Sequence, residues 1–306
     1  MSDLYRLANR FTGAVLALVA VVFFVAMNLL TRLLADIPTG EKVFFRMITG
    51  VIIVAAMIVS GAARWEVNNR RLLLARGLLG AITVALLFYA IDHTSLARAI
   101  FLWFTYPAWG ALFSWLFLKE PLGWRRVPAM ILIYAGALLI FSAKPADGIE
   151  TVSRGGDIAG LFCGVFSAAA VTTMRALHRH DSSSMIFFSF AVFGTLAGLA
   201  LMSVRGGYVS PAPLEWVALA GIGVTATIAQ LLYTTAFKYL DVAAVGAISM
   251  FQAPLSGLAA FMLLGERLAA PALAGGALVL AGGLYMAMAS KAAKLEKPVV
   301  PVNGSA

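Results

Sequence analysis

The sequence predicts an all-α integral membrane protein with ten transmembrane helices, arranged as two inverted five-helix repeats around a central cavity. Of the 306 residues, 61% are hydrophobic and 12% are charged, which is about half the charged fraction of a typical soluble domain. Apolar runs of about 18 or more residues recur along the chain, and each can cross a hydrocarbon core about 30 Å thick. Two such stretches, 96–121 and 242–267, share a proline near the middle and a glutamate near the end.

Short polar breaks separate the predicted spans. The spans are 12–34, 42–60, 72–91, 96–118, 125–142, 156–175, 184–203, 214–237, 243–264 and 271–290. The longest internal break, 143–155, is rich in Gly, Asp, Ser and Thr, which is typical of a linker. The sequence therefore predicts three parts, which are a first five-span repeat over 1–145, a second over 146–290 and a tail over 291–306.

The two halves carry matching residues at similar spacing. The matched pairs are Arg32 and Arg175, Pro107 and Pro254, and Glu120 and Glu266. An odd number of spans per repeat places the second copy upside down in the membrane, as in many secondary transporters. Coincidental similarity among helices rich in Ala, Gly and Leu is the alternative.

The basic residues indicate the orientation of the chain. The net charge is +9, and with the N-terminus inside, the cytoplasmic segments hold more than twice as many Lys and Arg as the opposite side. The positive-inside rule then predicts that both termini are cytoplasmic. Because these charges lie in short loops between spans, we expect no nucleic-acid partner. The single cysteine, Cys163, excludes an intrachain disulfide.

Pro107 and Pro254 fall at the centres of their spans. Proline removes a helical hydrogen bond and displaces the carbonyl of the residue four positions earlier, which bends the helix. One interpretation is a pair of hinges that open a central cavity, and the other is a pair of kinks kept for packing.

Polar side chains at membrane depth are the candidates for a binding site, because burying them in lipid is costly. Asn28 and Arg32 are four residues apart and share a helix face. The later spans contribute Ser167, Gln230, Tyr233, Thr234, Ser249 and Gln252. Arg32 and Arg46 lie near span ends, so extension of their side chains to the interface is the alternative to substrate contact.

Aromatic residues of the third and fourth spans form a second candidate group. Trp103 and Tyr106 share a helix face close to the predicted kink, and Tyr89 lies late in the preceding span. Such rings can stack on a ligand while a tyrosine hydroxyl fixes its orientation. Ordinary core packing is the alternative.

Motifs typical of enzymes are absent from the sequence. We find no GxSxG, HExxH or Walker loop, and His178 and His180 in the HRHD segment fit a solvated loop better than a metal site. We therefore expect no catalytic residue, no cofactor and no metal site.

Several segments together resemble the EamA-type carriers of the drug/metabolite transporter superfamily. They are FFRM, which contains Arg46, the matched passages PAWGALFSWLFLKEPL and APLSGLAAFMLLGERL, and the segments GALLI and GALVLAGG. The resemblance implies a cavity lined by spans 1, 3, 4, 6, 8 and 9, and transport of amino acids, nucleotide-like metabolites, vitamins or drugs, often outward across a bacterial inner membrane. The first span has no carboxylate, unlike that of the small multidrug relatives, which argues against proton-driven exchange of cationic drugs.

The resulting hypothesis is a secondary transporter in the bacterial inner membrane that exports amino acids by alternating access. Its partners are a small-molecule substrate and the lipid bilayer, and a monomer is plausible although the sequence leaves the oligomeric state open. A carrier for a vitamin, a nucleoside or a lipophilic compound is the main alternative, and a membrane-embedded enzyme or receptor is the remote one.

Overall fold

The protein is helical throughout the residues that the computed structural model describes, which are 2–118, 124–144, 152–177, 181–204, 208–240 and 242–295. The helices are α1 (Ser2–Leu33), α2 (Thr39–Val59), α3 (Arg70–His93), α4 (Leu96–Trp103), α5 (Tyr106–Leu118), α6 (Val127–Ser142), α7 (Arg154–Leu177), α8 (Ser183–Val204), α9 (Pro213–Ala236), α10 (Val242–Ser249), α11 (Gln252–Leu264) and α12 (Ala270–Leu295), with a 3-10 turn at Trp124–Arg126. Glu120, the centre of the predicted linker and most of the predicted tail lie outside the described residues, as does the side chain of Arg175.

Nine helical segments of the described chain are long and apolar enough to cross a membrane. They correspond to nine of the ten predicted spans. The other prediction, 96–118, is divided between α4 with 8 residues and α5 with 13 residues, and each is too short to cross alone. The prediction of an all-helical membrane protein is confirmed.

Local sequence signals set several helix ends. The Asn69 side chain accepts a hydrogen bond from the Leu72 N–H at 3.2 Å, which caps the start of α3. At α9, the Glu215 carboxylate accepts from the Ala212 N–H at 2.7 Å. Gly265 ends α11 with a φ of 67°, a left-handed conformation that favours glycine.

The main packing contacts join helices of the first half of the chain to helices of the second half. α1 packs along α9, α3 along α7, α2 along α8 and α6 along α12, and the pairs α3–α8 and α2–α9 add further contacts. These pairs are equivalent when the two halves are exchanged. In the pair α1–α9, α1 is the first predicted span of its half and α9 is the third of its half. In the pair α3–α7, α7 is the first of its half and α3 is the third. The bundle is therefore built from contacts between the halves rather than from two separate halves.

Glycines permit the closest of these contacts, between α6 and α12. A Cβ atom added to Gly136 would lie 2.5 Å from the carbonyl oxygen of Gly275, and one added to Gly275 would lie 2.6 Å from that of Gly136. Only residues without a side chain allow backbones to approach this closely. The small residues of the last span therefore serve a contact within the chain.

Two predicted spans are interrupted rather than continuous. α4 gives way to α5 at Phe104–Thr105, where the Thr105 N–H and hydroxyl donate to the Leu102 carbonyl at 3.2 and 2.8 Å. α10 gives way to α11 at 250–251. Pro107 and Pro254 stand in the first turn of the second helix of each pair, where a missing N–H is not needed. The sequence predicted bends, and the structure interrupts both helices by a two-residue turn shortly before the proline.

Large apolar side chains cover the outside of the bundle, as expected for a surface that faces lipid. Examples are Phe11, Val22, Ile52, Leu138, Phe162, Leu196, Leu258 and Met262.

Candidate functional site

A cavity of about 110 Å³ lies inside the bundle, between the two halves. It is bordered by residues of α1, α2, α3, α4, α5, α7, α8, α9, α10 and α11, and it lies beside both helix interruptions. This volume holds about four water molecules at liquid density. The cavity is therefore small, and it is partly open.

Seven of the eleven side chains predicted for substrate binding border this cavity. They are Trp103, Tyr106, Ser167, Gln230, Tyr233, Ser249 and Gln252. They come from both halves of the chain, and the fold brings them together across sequence separations of up to about 150 residues.

Hydrogen bonds already engage part of this polar lining. The Trp103 indole N–H donates to the Ser167 hydroxyl at 2.7 Å, which joins α4 to α7. Ser249 donates to the carbonyl of Val245 at 2.8 Å. Gln252 is 1% exposed, and its Nε2 has no hydrogen-bond partner among the described residues. Gln252 therefore offers the cavity an unused donor.

The other four predicted residues lie away from the cavity and have partners of their own. Asn28 is fully buried and donates to Ser256 at 3.5 Å. Arg32 forms an ion pair with Glu266, with 2.5 Å between Nε and Oε1. Tyr89 stacks on His93 with ring centroids 3.9 Å apart. The Thr234 hydroxyl donates at 2.7 Å to the carbonyl of Gln230, which lies one turn earlier in the same helix.

Arg46 borders the cavity from α2 and is 5% exposed. Its guanidinium carbon lies 5.2 Å from the centre of the Phe88 ring and 6.0 Å from that of Phe190. No carboxylate of the described residues lies within 4 Å of it, and its Nη1 has no hydrogen-bond partner there. Arg46 is therefore a buried cation held by aromatic faces alone.

Arg76 enters the same cavity from α3 and is 6% exposed. Its guanidinium carbon lies 4.5 Å from the centre of the Phe190 ring. Its Nε and Nη1 have no hydrogen-bond partner in the described part of the chain, and it forms no ion pair there. A Cβ atom at Gly80 would lie 2.1 Å from Nη1, so the glycine makes room for this guanidinium.

Sequence reasoning missed these two arginines as a pair. Arg46 was predicted near a span end, and Arg76, inside the predicted span 72–91, was not among the candidate site residues. α3 begins at Arg70, so Arg76 lies between one and two turns inside the helix. Gly77 and Gly80 were the available signal, because small residues one turn apart allow a neighbouring helix and a long side chain to share that face.

The cations at one end of the bundle are paired with carboxylates. Arg98 and Asp157 join α4 to α7 through two hydrogen bonds of 2.7 Å. Lys42 pairs with Asp92, which joins α2 to α3. The third pair is Arg32–Glu266, and the second oxygen of this glutamate accepts from the N–H of Leu96 at 2.9 Å. We call these three pairs the ion-pair end; they close the bundle on the side where α1 and α3 end.

Metal-binding clusters are absent from the described residues: no three His, Cys, Asp or Glu side chains come together there. His178 and His180 lie outside the described residues. Cys163 is fully buried, and its thiol donates to the Thr83 carbonyl at 3.3 Å.

A bundle of lipid-facing helices around an internal cavity belongs to the class of multi-pass membrane proteins. The sequence model of the EamA-like transporter family matches the chain twice, over residues 11–142 and 154–288. The chain belongs to the EamA-like transporter family. It is therefore a transporter and not an enzyme, its partners are the lipid bilayer and a small-molecule substrate, and the predicted resemblance is confirmed.

Named relatives are transporters as well. The pseudopaline exporter CntI of Pseudomonas aeruginosa is 32% identical over 231 residues, which cover 74% of this chain and 79% of that protein. An uncharacterized transporter of Helicobacter pylori is 26% identical over 93% of this chain and 97% of its own length. Human solute carrier family 35 member G1 is 25% identical over 74% of this chain and 65% of that protein.

A solved crystal structure has the same fold. It matches with a TM-score of 0.65, covering 94% of this chain and 98% of that one, at 19% sequence identity. At this identity the likeness concerns the fold alone.

Proposed function

We propose that the protein is a secondary transporter that exports a small metabolite across the bacterial inner membrane by alternating access. The single observation that carries the proposal is the cavity between the halves, which has a mostly apolar surface, is bordered by polar side chains of both halves and lies beside both interrupted helices. Secondary transporters commonly place their site near the midplane, at the interface of two repeats and beside broken helices.

The transmembrane arrangement that we propose has ten crossings in two inverted repeats, with the first repeat ending near residue 145, the second spanning 146–290 and a cytoplasmic tail following. α4 and α5 together form the fourth crossing, as α10 and α11 form the ninth. The exchange of helix contacts between the halves supports this arrangement, and the double match to one family supports the duplication. Five crossings per repeat require the inversion.

In the orientation that the basic residues favour, both termini are cytoplasmic and the ion-pair end faces the outside. The three ion pairs then close the outer side of the cavity. Opening that side requires these contacts to separate, while the helices of the other side come together. Pro107 and Pro254 are the proposed hinges for this movement.

The proposed binding set is Trp103, Tyr106, Ser167, Gln230, Tyr233, Ser249 and Gln252. Asn28 and Arg32 act instead through contacts between helices, and Tyr89 and Thr234 through contacts within their own helices. An amino acid is the first candidate substrate, because hydroxyl and amide groups dominate the polar lining and suit a small polar molecule. We propose a monomer as the transporting unit.

A second candidate is a larger metabolite. The similarity to the pseudopaline exporter favours it, although the volume of 110 Å³ requires the cavity to widen before a larger molecule can enter.

Counterflow in proteoliposomes tests the proposal. Vesicles that contain the purified protein are preloaded with a mixture of unlabelled amino acids and diluted into one labelled amino acid at a time. We expect transient accumulation of a few of them, reduced about tenfold or more by Gln252→Ala or Gln230→Ala, because a buried polar group of the substrate then loses its partner.

Thr225→Ala is the matched control. It removes a hydroxyl from α9 that bonds only to its own helix, donating to the Gly221 carbonyl at 2.6 Å, and that does not border the cavity. If no amino acid exchanges, the amino-acid proposal fails, and the same vesicles are then loaded with vitamins, nucleosides or drugs.

A further inference from the structure

We propose that Arg46 and Arg76 form an anion-binding subsite and that the transported molecule is a small dicarboxylate with a net negative charge. This inference rests on the proposed transport function and specifies its substrate class. It departs from the zwitterionic amino acid, which is the first candidate by residue type alone.

The two arginines are buried charges without a counter-charge. Both border the cavity, both are less than a tenth exposed, and neither forms an ion pair within the described residues. An isolated buried charge is strongly unfavourable unless something pairs with it. An anionic ligand in the cavity would supply that pairing.

Other buried cations of this protein have acidic partners. Lys42 and Arg98 are fully or almost fully buried, and each contacts a carboxylate of a neighbouring helix. Arg32 contacts Glu266 in the same way. The fold therefore provides acidic partners where a cation has a structural role, and it provides none at Arg46 and Arg76.

The geometry places both guanidinium groups within reach of one small ligand. Their central carbons lie 6.0 and 4.5 Å from the centre of the same ring, that of Phe190, so their separation cannot exceed the sum of these distances. Each guanidinium can hold a carboxylate through two parallel hydrogen bonds. One molecule with two carboxylates on a short apolar chain can therefore engage both.

The surface of the cavity is mostly apolar, and the buried polar atoms without a partner at its border are donors. Nη1 of Arg46, Nε and Nη1 of Arg76 and Nε2 of Gln252 are all unused donors. No Asp or Glu borders the cavity among the described residues. The ammonium group of an amino acid would find no carboxylate partner there, whereas a dicarboxylate brings only acceptors.

Ligand-induced thermal stabilisation of the purified full chain in detergent tests the proposal. The probes are malonate, succinate, glutarate and adipate, with glutamine as a zwitterion, putrescine as a cation and sodium chloride at matched ionic strength. We expect at least one dicarboxylate to raise the Tm in a saturable manner, while the other compounds leave it unchanged.

Arg46→Gln and Arg76→Gln are each expected to weaken that dicarboxylate about 10- to 100-fold, because a charge-assisted hydrogen-bond partner is lost. Arg64→Gln is the control for charge, because it removes one positive charge from an arginine whose side chain is 87% exposed. It should bind like the wild type.

The ligand-free variants separate a binding role from a structural one. Removing an unpaired buried charge should leave the Tm of the free protein unchanged or raise it. A lower Tm in both variants, together with no stabilisation of the wild type by any dicarboxylate, would overturn the proposal and assign the arginines to packing against Phe190.

Counterflow with the same compounds separates this proposal from the transport function on which it rests. Exchange of neutral amino acids that survives Arg46→Gln and Arg76→Gln would leave the transporter standing and overturn the anion subsite. Dicarboxylate binding that depends on both arginines, without exchange of any compound, would support the subsite and contradict transport.

Discussion

Arg98 and Asp157 form an almost fully buried pair in which two guanidinium nitrogens contact the two carboxylate oxygens at 2.7 Å each. The Thr94 hydroxyl adds a third contact to this carboxylate at 3.2 Å. Removing one partner leaves the other charge buried and unpaired, which costs about 3–5 kcal/mol, whereas replacing both by apolar residues is often close to neutral.

We therefore predict strong non-additivity at this pair. Arg98→Met and Asp157→Leu should each lower the free energy of unfolding by about 3–5 kcal/mol, and the double variant should lose less than either single one. Equilibrium unfolding of the purified variants in detergent measures these differences. A double variant whose loss equals the sum of the single losses would show that the two side chains are not coupled.

At the same scale, the sequence predicted seven of the twenty residues that border the cavity but not its charges. Polar residues within apolar spans are visible in the sequence, so Gln230, Ser249 and Gln252 could be predicted. Which of them meet a cavity depends on helix rotation and on partners far along the chain, as between Arg32 and Glu266. For Arg76, the helix starts earlier than the apolar run, at the exposed residues Arg70 and Arg71, so Arg76 lies within the helix and is buried.

At the scale of a single element, the two interrupted helices are the main feature of the fold. Pro107 and Pro254 begin the second helix of each pair, and the breaks before them border the cavity. A proline in the first turn costs the helix little, because its missing N–H has no helical partner in any case. Its restricted backbone prevents the two short helices from joining into one.

We predict that Pro107→Ala and Pro254→Ala slow transport without weakening binding. Alanine allows the helix to extend across the break, so the counterflow rate should fall several-fold while the dissociation constant of the ligand changes by less than about twofold. Pro271→Ala is the matched control, because Pro271 also lies in the first turn of a helix but follows no break between two half-helices. Unchanged rates in both hinge variants would remove the hinge role.

The elements themselves were largely predictable, because runs of apolar residues mark membrane helices directly. The breaks at 104–105 and 250–251 were predicted only as bends. Sequence locates the proline, but the choice between a bent and a broken helix depends on whether a side chain such as that of Thr105 can satisfy the carbonyl groups that are released.

For the whole molecule, the contacts between the halves explain how one cavity can serve two sides of a membrane. The most extensive helix contacts, such as α1–α9 and α3–α7, cross from one half to the other. A rocking movement of one half against the other changes both ends of the cavity together. In the proposed mechanism the ion-pair end is the closed side, and separation of its three pairs opens it.

The most direct test of two-sided access is labelling of a single cysteine in the cavity. Ser249 borders the cavity and is 7% exposed, and Ser249→Cys is introduced together with Cys163→Ser, which keeps a donor for the Thr83 carbonyl. A membrane-impermeant maleimide is applied to right-side-out and to inside-out vesicles. We predict labelling in both preparations, slowed in both by the transported solute; labelling from one side alone, unaffected by any solute, would contradict alternating access.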